Sequence, residues 1–171
     1  PFSVWIGRLA LKKDITQYGD RNPGATNVIR AGSKAWGIFA IFADIGKGAL
    51  PVGLAAHVLG IRGWALVAIA IAPILGHAFS PFLNFKGGKA IATSFGTWIG
   101  LLIFEAVFIA PPLLIYWYYA VTLSGWAVML ALSSIGAWLI ISGAYWEAYI
   151  VLLLNTAILI YRHRDDLRQP L

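Results

Sequence analysis

Residues 63–83 read GWALVAIAIAPILGHAFSPFL and contain no Asp, Glu, Lys or Arg. Such an apolar run is long enough to cross a hydrocarbon core of about 30 Å, which needs roughly 17 to 25 helical residues. The stretch therefore predicts a transmembrane helix. The whole chain agrees, because 60% of its 171 residues are hydrophobic and only 12% are charged, whereas soluble domains carry about a quarter charged residues.

Similar apolar runs lie on both sides of this stretch, and Trp and Tyr cluster near their ends, where amphipathic rings prefer the headgroup level. We predict an all-α, polytopic integral membrane bundle of about seven spans, forming one membrane-embedded domain over residues 1–171. Six spans are the alternative, because Ile91–Tyr119 is interrupted only by Glu105 and by Pro111-Pro112. The first span looks truncated at Pro1, so we expect residues before it. The predicted spans are 1–11, 35–59, 63–83, 90–103, 104–120, 126–141 and 146–161.

The basic residues predict the orientation, since cationic loops are retained on the cytoplasmic side. Segments 12–34, 84–89 and 162–171 hold ten Lys or Arg, whereas the other connections hold only Arg62. With seven spans, the N-terminus lies outside and the C-terminus inside. The net charge of +6 is explained by this retention, so nucleic acid is not an expected partner. The absence of cysteine excludes disulfides and cysteine-ligated metals.

The loop after the first span suits a phosphate ester. Asn22 is predicted to cap a helix whose first residue is Pro23, which leaves free N–H groups at a positive dipole end. Thr26, Asn27 and Arg30 then fall on one face of that helix and offer a hydroxyl, an amide and a guanidinium. An ordinary basic surface turn is the alternative.

Two further basic segments are candidate parts of the same site. In Lys86-Gly87-Gly88-Lys89, the paired glycines could turn backbone amides inward as an anion nest, and Lys89 adds a charge. A flexible basic turn is the alternative there. After the last span, His163 lies between two arginines that favour neutral imidazole, so it could accept a proton or bind a phosphate. A histidine that simply sits at the membrane interface is the alternative.

Two charged residues, Asp44 and Lys47, lie inside the otherwise apolar second span. Charges at that depth are unfavourable, so we expect them to pair with each other and to face the bundle interior or the site. Structural support of the site is their expected role. His77, near the cytoplasmic end of the third span, could be a packing histidine.

Taken together, these motifs resemble the acyl-phosphate-dependent glycerol-3-phosphate acyltransferase family (PlsY). They occur in the family's order and spacing, and the resemblance covers nearly the whole chain. The matching stretches are Pro1-Phe2-Ser3 with Gly7-Arg8, Asn22–Arg30 (NPGATNVIR), Asp44 with Lys47-Gly48, Gly76-His77, Phe85–Lys89 (FKGGK) and Ile160–Arg164 (IYRHR).

The resemblance implies a multi-pass enzyme of the bacterial cytoplasmic (inner) membrane. It would move a fatty acyl group from acyl phosphate to the primary hydroxyl of glycerol 3-phosphate, giving lysophosphatidic acid and phosphate in phospholipid biosynthesis. Neither a metal nor another cofactor is implied. Its partners would be the two substrates and the lipid bilayer. By analogy, His163, Lys89 and Arg30 are the candidate catalytic residues. The candidate substrate-binding residues are Asn22, Thr26, Asn27, Lys86, Gly87, Gly88, Asp20 and Asp166.

The chain departs from the family pattern inside the motifs. The family usually has Gly-Ser-Gly where this chain has Gly19-Asp20-Arg21, and it has Asn where this chain has Asp166. The usual glycine after GGK is Ala90 here. Two new carboxylates near an anion site leave two other hypotheses open. One is a related membrane acyltransferase with an altered acceptor or donor, and the other is a non-catalytic lipid-binding or transport relative.

Overall fold

The computed structural model describes residues 1–103, 112, 113, 115–121 and 124–169. These residues form helices, turns and loops, with no β-strand among them. Residues 115–120 are helical and lie between α5 and α6. The helices are α1 (Phe2–Ala10), α2 (Ala25–Arg30), α3 (Lys34–Gly53), α4 (Gly63–Ala78), α5 (Ile91–Leu102), α6 (Ser124–Ser142), α7 (Trp146–Arg162) and α8 (Arg164–Leu167).

Six of the seven predicted spans coincide with helices in the described chain. A π-helical turn, Leu54–Val58, extends α3, and a 3-10 turn, Pro81–Leu83, follows α4. Among the residues that the structure describes, three helical segments are long and apolar enough to cross a bilayer, namely Lys34–Val58, Gly63–Leu83 and Gly125–Ser142, and Ile91–Leu102 is a shorter apolar helix. The fifth predicted span, 104–120, falls mostly outside the described residues. The all-α membrane architecture is confirmed.

Helices α3 and α5 pack backbone to backbone through glycines. A Cβ atom on Gly48 would lie 2.5 Å from the carbonyl oxygen of Thr93, and one on Gly100 would lie 2.8 Å from that of Ala49. A Cβ on Gly96 would collide with the Ile45 carbonyl. Small residues permit this close approach of membrane helices, which brings dispersion contacts that lipid cannot replace. This packing places the first turn of α5, which begins two residues after Lys89, beside the middle of α3.

The largest apolar core lies between α4, α5, α6 and α7. A buried carboxylate joins two of these helices, because Glu147 at the start of α7 accepts a 2.7 Å hydrogen bond from the first amide of α4, that of Gly63. A carboxylate at that position satisfies a free helix amide and suits the positive end of the dipole. The largest fully buried side chains of this core are Trp98, Leu66, Ile74, Leu101, Leu139 and Leu159.

Six described residues other than glycine have a positive φ, which favours glycine, and Arg21 and Ala90 are two of them. Arg21 has φ of 59° and Ala90 has φ of 61°. Both stand where the family that the sequence resembles usually has glycine. A left-handed conformation costs an L-residue roughly 1–2 kcal/mol, so the backbone explains why glycine is usual there.

We predict that Arg21→Gly raises the melting temperature of the protein in detergent by about 2 °C. Relief of the left-handed strain is worth about 1–2 kcal/mol, and the entropy that glycine loses on folding costs about 0.5–1 kcal/mol, so a net gain of about 0.5–1 kcal/mol remains. Each kcal/mol shifts the melting temperature of a chain of this size by about 2–4 °C. Arg21→Lys is the matched control, because it keeps both the charge and the strain. An equal rise in both variants would contradict the prediction.

Candidate active site

The segment before α2 differs in one respect from the predicted cap. Helix α2 begins at Ala25 with Gly24 as its N-cap, so Asn22 does not cap it and Pro23 is not its first residue. The reason lies in the Asn22 carbonyl, which accepts hydrogen bonds from the Gly24 amide at 2.8 Å and from the Asn27 side chain at 2.9 Å. These bonds hold residues 22–24 in a tight turn, and the helix starts after it.

Asn27 is the buried centre of this segment, with 1% of its surface exposed. Its Nδ2 donates to Asp20 Oδ1 at 3.0 Å as well as to the Asn22 carbonyl, and its Oδ1 accepts from Arg30 Nη1 at 3.1 Å. Gly19 makes this packing possible, because a Cβ there would collide with the side chains of Arg30 and Asn27. Asn27 therefore orients Arg30 and Asp20 together.

Lys89 lies between two carboxylates. Its Nζ donates to Asp166 Oδ2 at 3.1 Å and lies 3.6 Å from Asp20 Oδ2. Asp20 Oδ1 also lies 3.9 Å from Arg30 Nη1. Both acidic departures from the family pattern thus contact the same ammonium group, and the first loop, the KGGK loop and the C-terminal segment meet at it.

The KGGK loop is held by packing against α4. The Gly88 amide donates to the His77 carbonyl at 3.1 Å, and a Cβ on Gly87 or Gly88 would collide with His77. Arg162 donates to the carbonyls of both glycines. Because its amide is already bonded, Gly88 does not form the predicted anion nest.

Lys86 and Thr26 differ in their position relative to the residues around Lys89. Lys86 is exposed, and its side chain makes no hydrogen bond or ion pair with the part of the chain that the structure describes. Thr26 is also exposed but lines the same cavity as Asn27 and Arg30. Of the two lysines predicted for the site, the structure places Lys89 there and leaves Lys86 at the surface.

His163 lies just beyond the last span and is buried, with 1% of its surface exposed. Its Nδ1 lies 3.3 Å from Asp166 Oδ2, and its Nε2 is buried without a partner in the described chain. Burial lowers the pKa of His163 below its ordinary value; the Asp166 carboxylate opposes this shift and the Lys89 charge adds to it. The neutral form predicted from the flanking arginines is therefore favoured, chiefly by burial.

This lowered pKa predicts a loss of stability in acid. Above about pH 6.5, the ordinary value, His163 is neutral in both folded and unfolded chains and contributes no pH dependence. Below that pH the unfolded chain takes up the proton more readily, so the stability that neutral His163 contributes is lost as the pH falls through the folded pKa. We expect the decrease in melting temperature from pH 7.5 to pH 5.5 to be smaller in His163→Gln than in the unchanged protein. Equal decreases would contradict this.

Beneath the cluster lies a buried polar network between α1, α3, α4 and α5. Lys47 Nζ lies 2.5 Å from Asp44 Oδ1 and 2.6 Å from His77 Nδ1, which confirms the predicted pair. Thr93 Oγ1 lies 3.0 Å from the same His77 nitrogen, and Ser3 Oγ donates to Asp44 Oδ2 at 3.0 Å. The network joins α1 to α3 and holds His77, whose carbonyl in turn holds Gly88.

One cavity of about 530 Å³ connects these parts. Its polar wall carries the predicted residues of the first loop together with Lys89, and the buried Asp44 and His77 also reach it. Its apolar wall comes from α3 and α5. Asp166 accepts a hydrogen bond from Lys89, which lines the cavity, and His163 in turn contacts Asp166. The polar lining residues are Asp20, Asn22, Thr26, Asn27, Arg30, Asp44, His77 and Lys89, and the apolar ones include Ile41, Ile45, Ile91 and Phe95.

Two residues that shape this site, Arg162 and His77, are not among the candidate site residues predicted from the sequence. Arg162 was counted only as a basic residue, yet it holds the carbonyls of Gly87 and Gly88. The sequence leaves His77 open as a packing histidine, whereas in the structure it lines the cavity and its carbonyl accepts a hydrogen bond from the Gly88 amide. The position of Arg162 directly before His163 in a basic motif was the available signal.

The fold and the site of the described residues define a polytopic helical membrane protein with a cavity that has a charged wall and an apolar wall. Such a cavity can hold a charged headgroup beside an apolar chain. The chain matches the sequence profile of the glycerol-3-phosphate acyltransferase family over residues 1–171. It belongs to that family.

Individual relatives support the assignment over the same length. The chain is 34% identical to the glycerol-3-phosphate acyltransferase of Enterococcus faecalis, covering 99% of this chain and 81% of the relative. It is 36% identical to that of Proteus mirabilis, covering 98% and 75%. Crystal structures of PlsY (YgiH), an integral membrane glycerol 3-phosphate acyltransferase, superpose with a TM-score of 0.84 at 30% identity, covering 97% of this chain and 84% of that one. They are the glycerol 3-phosphate form and the lysophosphatidic acid form.

Proposed function

We propose that this protein transfers a fatty acyl group from acyl phosphate to the primary hydroxyl of glycerol 3-phosphate. The observation that carries the proposal is the convergence of Asn27, Arg30 and Lys89 on one cavity with an apolar wall. Cationic and amide donors suit the phosphate groups of the two substrates. The apolar wall suits the acyl chain, which reaches the site from the bilayer.

In the proposed reaction the acceptor hydroxyl oxygen bonds to the acyl carbonyl carbon, and the bond from that carbon to the phosphate oxygen breaks. Phosphate leaves with the electron pair, and the hydroxyl proton is released. Lys89 and Arg30 stabilise the negative charge of the departing phosphate because they are already oriented before the reaction. Driving force comes from the acyl phosphate itself, so the protein has only to bind, orient and stabilise charge.

His163, the remaining candidate catalytic residue, acts on this site through Asp166 in our proposal. Its Nδ1 faces the Asp166 oxygen that also accepts from Lys89. A neutral imidazole that donates from Nδ1 fixes the carboxylate, and the carboxylate fixes the ammonium group. His163 is then a positioning residue, and its loss should alter the placement of Lys89.

The proposed location is the bacterial cytoplasmic membrane, with the site and the C-terminus on the cytoplasmic face. The concentration of Lys and Arg in segments 12–34, 84–89 and 162–171 supports this orientation. Because the chain has no cysteine, single cysteines at Lys34 and Arg62 can be labelled in intact cells with a membrane-impermeant maleimide. We expect labelling at position 62 and protection at position 34, and the reverse pattern would contradict the orientation.

The activity is tested by supplying acyl phosphate and glycerol 3-phosphate to the purified protein in detergent or lipid. We expect lysophosphatidic acid and inorganic phosphate in equal amounts, and no product when acyl-CoA replaces acyl phosphate. Activity with another alcohol or amine but not with glycerol 3-phosphate would favour an altered acceptor instead. Binding of acyl phosphate without turnover would favour a non-catalytic relative. Either of these results would overturn the proposal.

A further inference from the structure

The Asp20 carboxylate contacts several of the hydrogen-bond donors that line the cavity. Asp20 Oδ1 accepts hydrogen bonds from the Asn22 amide at 3.2 Å and from Asn27 Nδ2 at 3.0 Å, and it lies 3.9 Å from Arg30 Nη1. Its other oxygen lies 3.6 Å from Lys89 Nζ. These donors come from the first loop, from α2 and from the KGGK loop, so the Asp20 carboxylate stands where an external anion would find its partners.

The charges of the cluster also balance without any substrate. Arg30 and Lys89 supply two positive charges, and Asp20 and Asp166 supply two negative ones. A phosphate group entering this cluster meets cations that are already paired, and Asp20 repels it at short range. A serine in its place would carry no charge, and its hydroxyl could donate to phosphate instead.

The two carboxylates differ in how easily they can leave Lys89. The side chain of Asp20 is 47% exposed and lies in a loop, whereas that of Asp166 is 25% exposed and also faces the buried His163. Asp20 can turn toward water at little desolvation cost, because its charge remains hydrated there. Asp166 then keeps Lys89 in place while Asp20 moves.

We propose that Asp20 is a built-in counter-ion that holds the phosphate-binding donors and must release them before an anionic acceptor binds. Asp20 thereby sets the affinity of this chain for phosphate monoesters below that of a serine-bearing site. The identity of the acceptor rests on the proposed function. The competition between Asp20 and phosphate does not depend on it.

The test compares Asp20→Ser and Asp20→Asn with the unchanged protein. The serine variant replaces the carboxylate with a hydroxyl that can donate to phosphate, and the asparagine variant removes the charge while keeping the size of the side chain. Asp165→Asn is the matched control, because that carboxylate is 78% exposed and pairs only weakly with Arg164 and Arg168, each at 4.0 Å. The readouts are KM and kcat for glycerol 3-phosphate and, without turnover, the dissociation constant of inorganic phosphate measured by calorimetry.

We expect both Asp20 variants to lower KM for glycerol 3-phosphate and the dissociation constant of inorganic phosphate by about tenfold, because a repulsive charge about 4 Å from the anion is removed. The control should change neither quantity by more than about twofold. An unchanged or weakened affinity for inorganic phosphate in both Asp20 variants would overturn the inference, since it would show that the carboxylate does not compete.

The two proposals fail differently. If the Asp20 variants bind inorganic phosphate more tightly but no variant acylates glycerol 3-phosphate, the competition stands and the proposed function falls. If the unchanged protein acylates glycerol 3-phosphate with a KM that neither Asp20 variant lowers, the proposed function stands and the inference falls.

Discussion

Replacing Lys89 with alanine is expected to lower kcat/KM for acyl transfer by about 100-fold or more. The substitution removes a charge-assisted contact to phosphate, and groups that stabilise developing charge are typically worth 10²–10³ in rate. It also leaves the carboxylates of Asp20 and Asp166 without the ammonium group between them, so their repulsion of phosphate adds to the loss. Initial rates of phosphate release from acyl phosphate, with glycerol 3-phosphate varied, measure the effect.

Lys34→Ala is the matched control for this experiment. Lys34 is an exposed lysine at the start of α3, so its removal changes the net charge equally but leaves the cavity intact. Its kinetics should stay within about twofold of the unchanged protein, and both variants should keep the same melting temperature to within a few degrees. A Lys89→Ala enzyme as active as the control would remove Lys89 from the site.

Breaking the buried pair in α3 is expected to have the largest effect on stability. Asp44 is only 2% exposed, and Lys47 Nζ lies 2.5 Å from it. Lys47→Met leaves this carboxylate without its ammonium partner, and removing one member of a buried ion pair typically costs about 3–5 kcal/mol. At about 2–4 °C per kcal/mol for a chain of this size, the melting temperature in detergent should fall by about 10 °C.

The double variant Asp44→Asn with Lys47→Met separates the loss of pairing from the loss of packing. It removes the uncompensated charge, so we expect it to regain at least half of the lost melting temperature, since neutral replacements of a buried pair often cost little. Asp44→Asn alone completes the double-mutant cycle. Additive losses in the cycle would show that the two side chains do not stabilise each other.

The spans could be predicted from the sequence because the bilayer imposes one simple condition on every segment. An apolar run must be long enough to cross and must satisfy its own backbone as a helix. The predicted ends of α3, α4, α6 and α7, with their flanking turns included, differ from the observed ones by at most two residues. Flanking turn chemistry sets those last residues, and it is harder to predict, as the start of α2 at Ala25 illustrates.

The residue types of the candidate site could be predicted from the sequence, but the contacts between them could not. Thr26, Asn27 and Arg30 follow from helical spacing, and Lys89 follows from the basic loop. That Asp20 and Asp166 share Lys89 could not be inferred, because they are 146 positions apart in the chain. Spacing predicts only local neighbours, so a contact between distant segments depends on how the helices pack.

Composition, run length and charge asymmetry act segment by segment, so the sequence predicts a helical membrane bundle with its cationic segments on one face. Three contacts depend on the packed fold: the Gly88 amide donates to His77, Arg162 holds the KGGK loop, and two carboxylates pair with the Lys89 ammonium group. Hydrogen bonds and ion pairs form only over distances of a few ångströms. Those distances exist only once α3, α4, α5 and α7 have packed together.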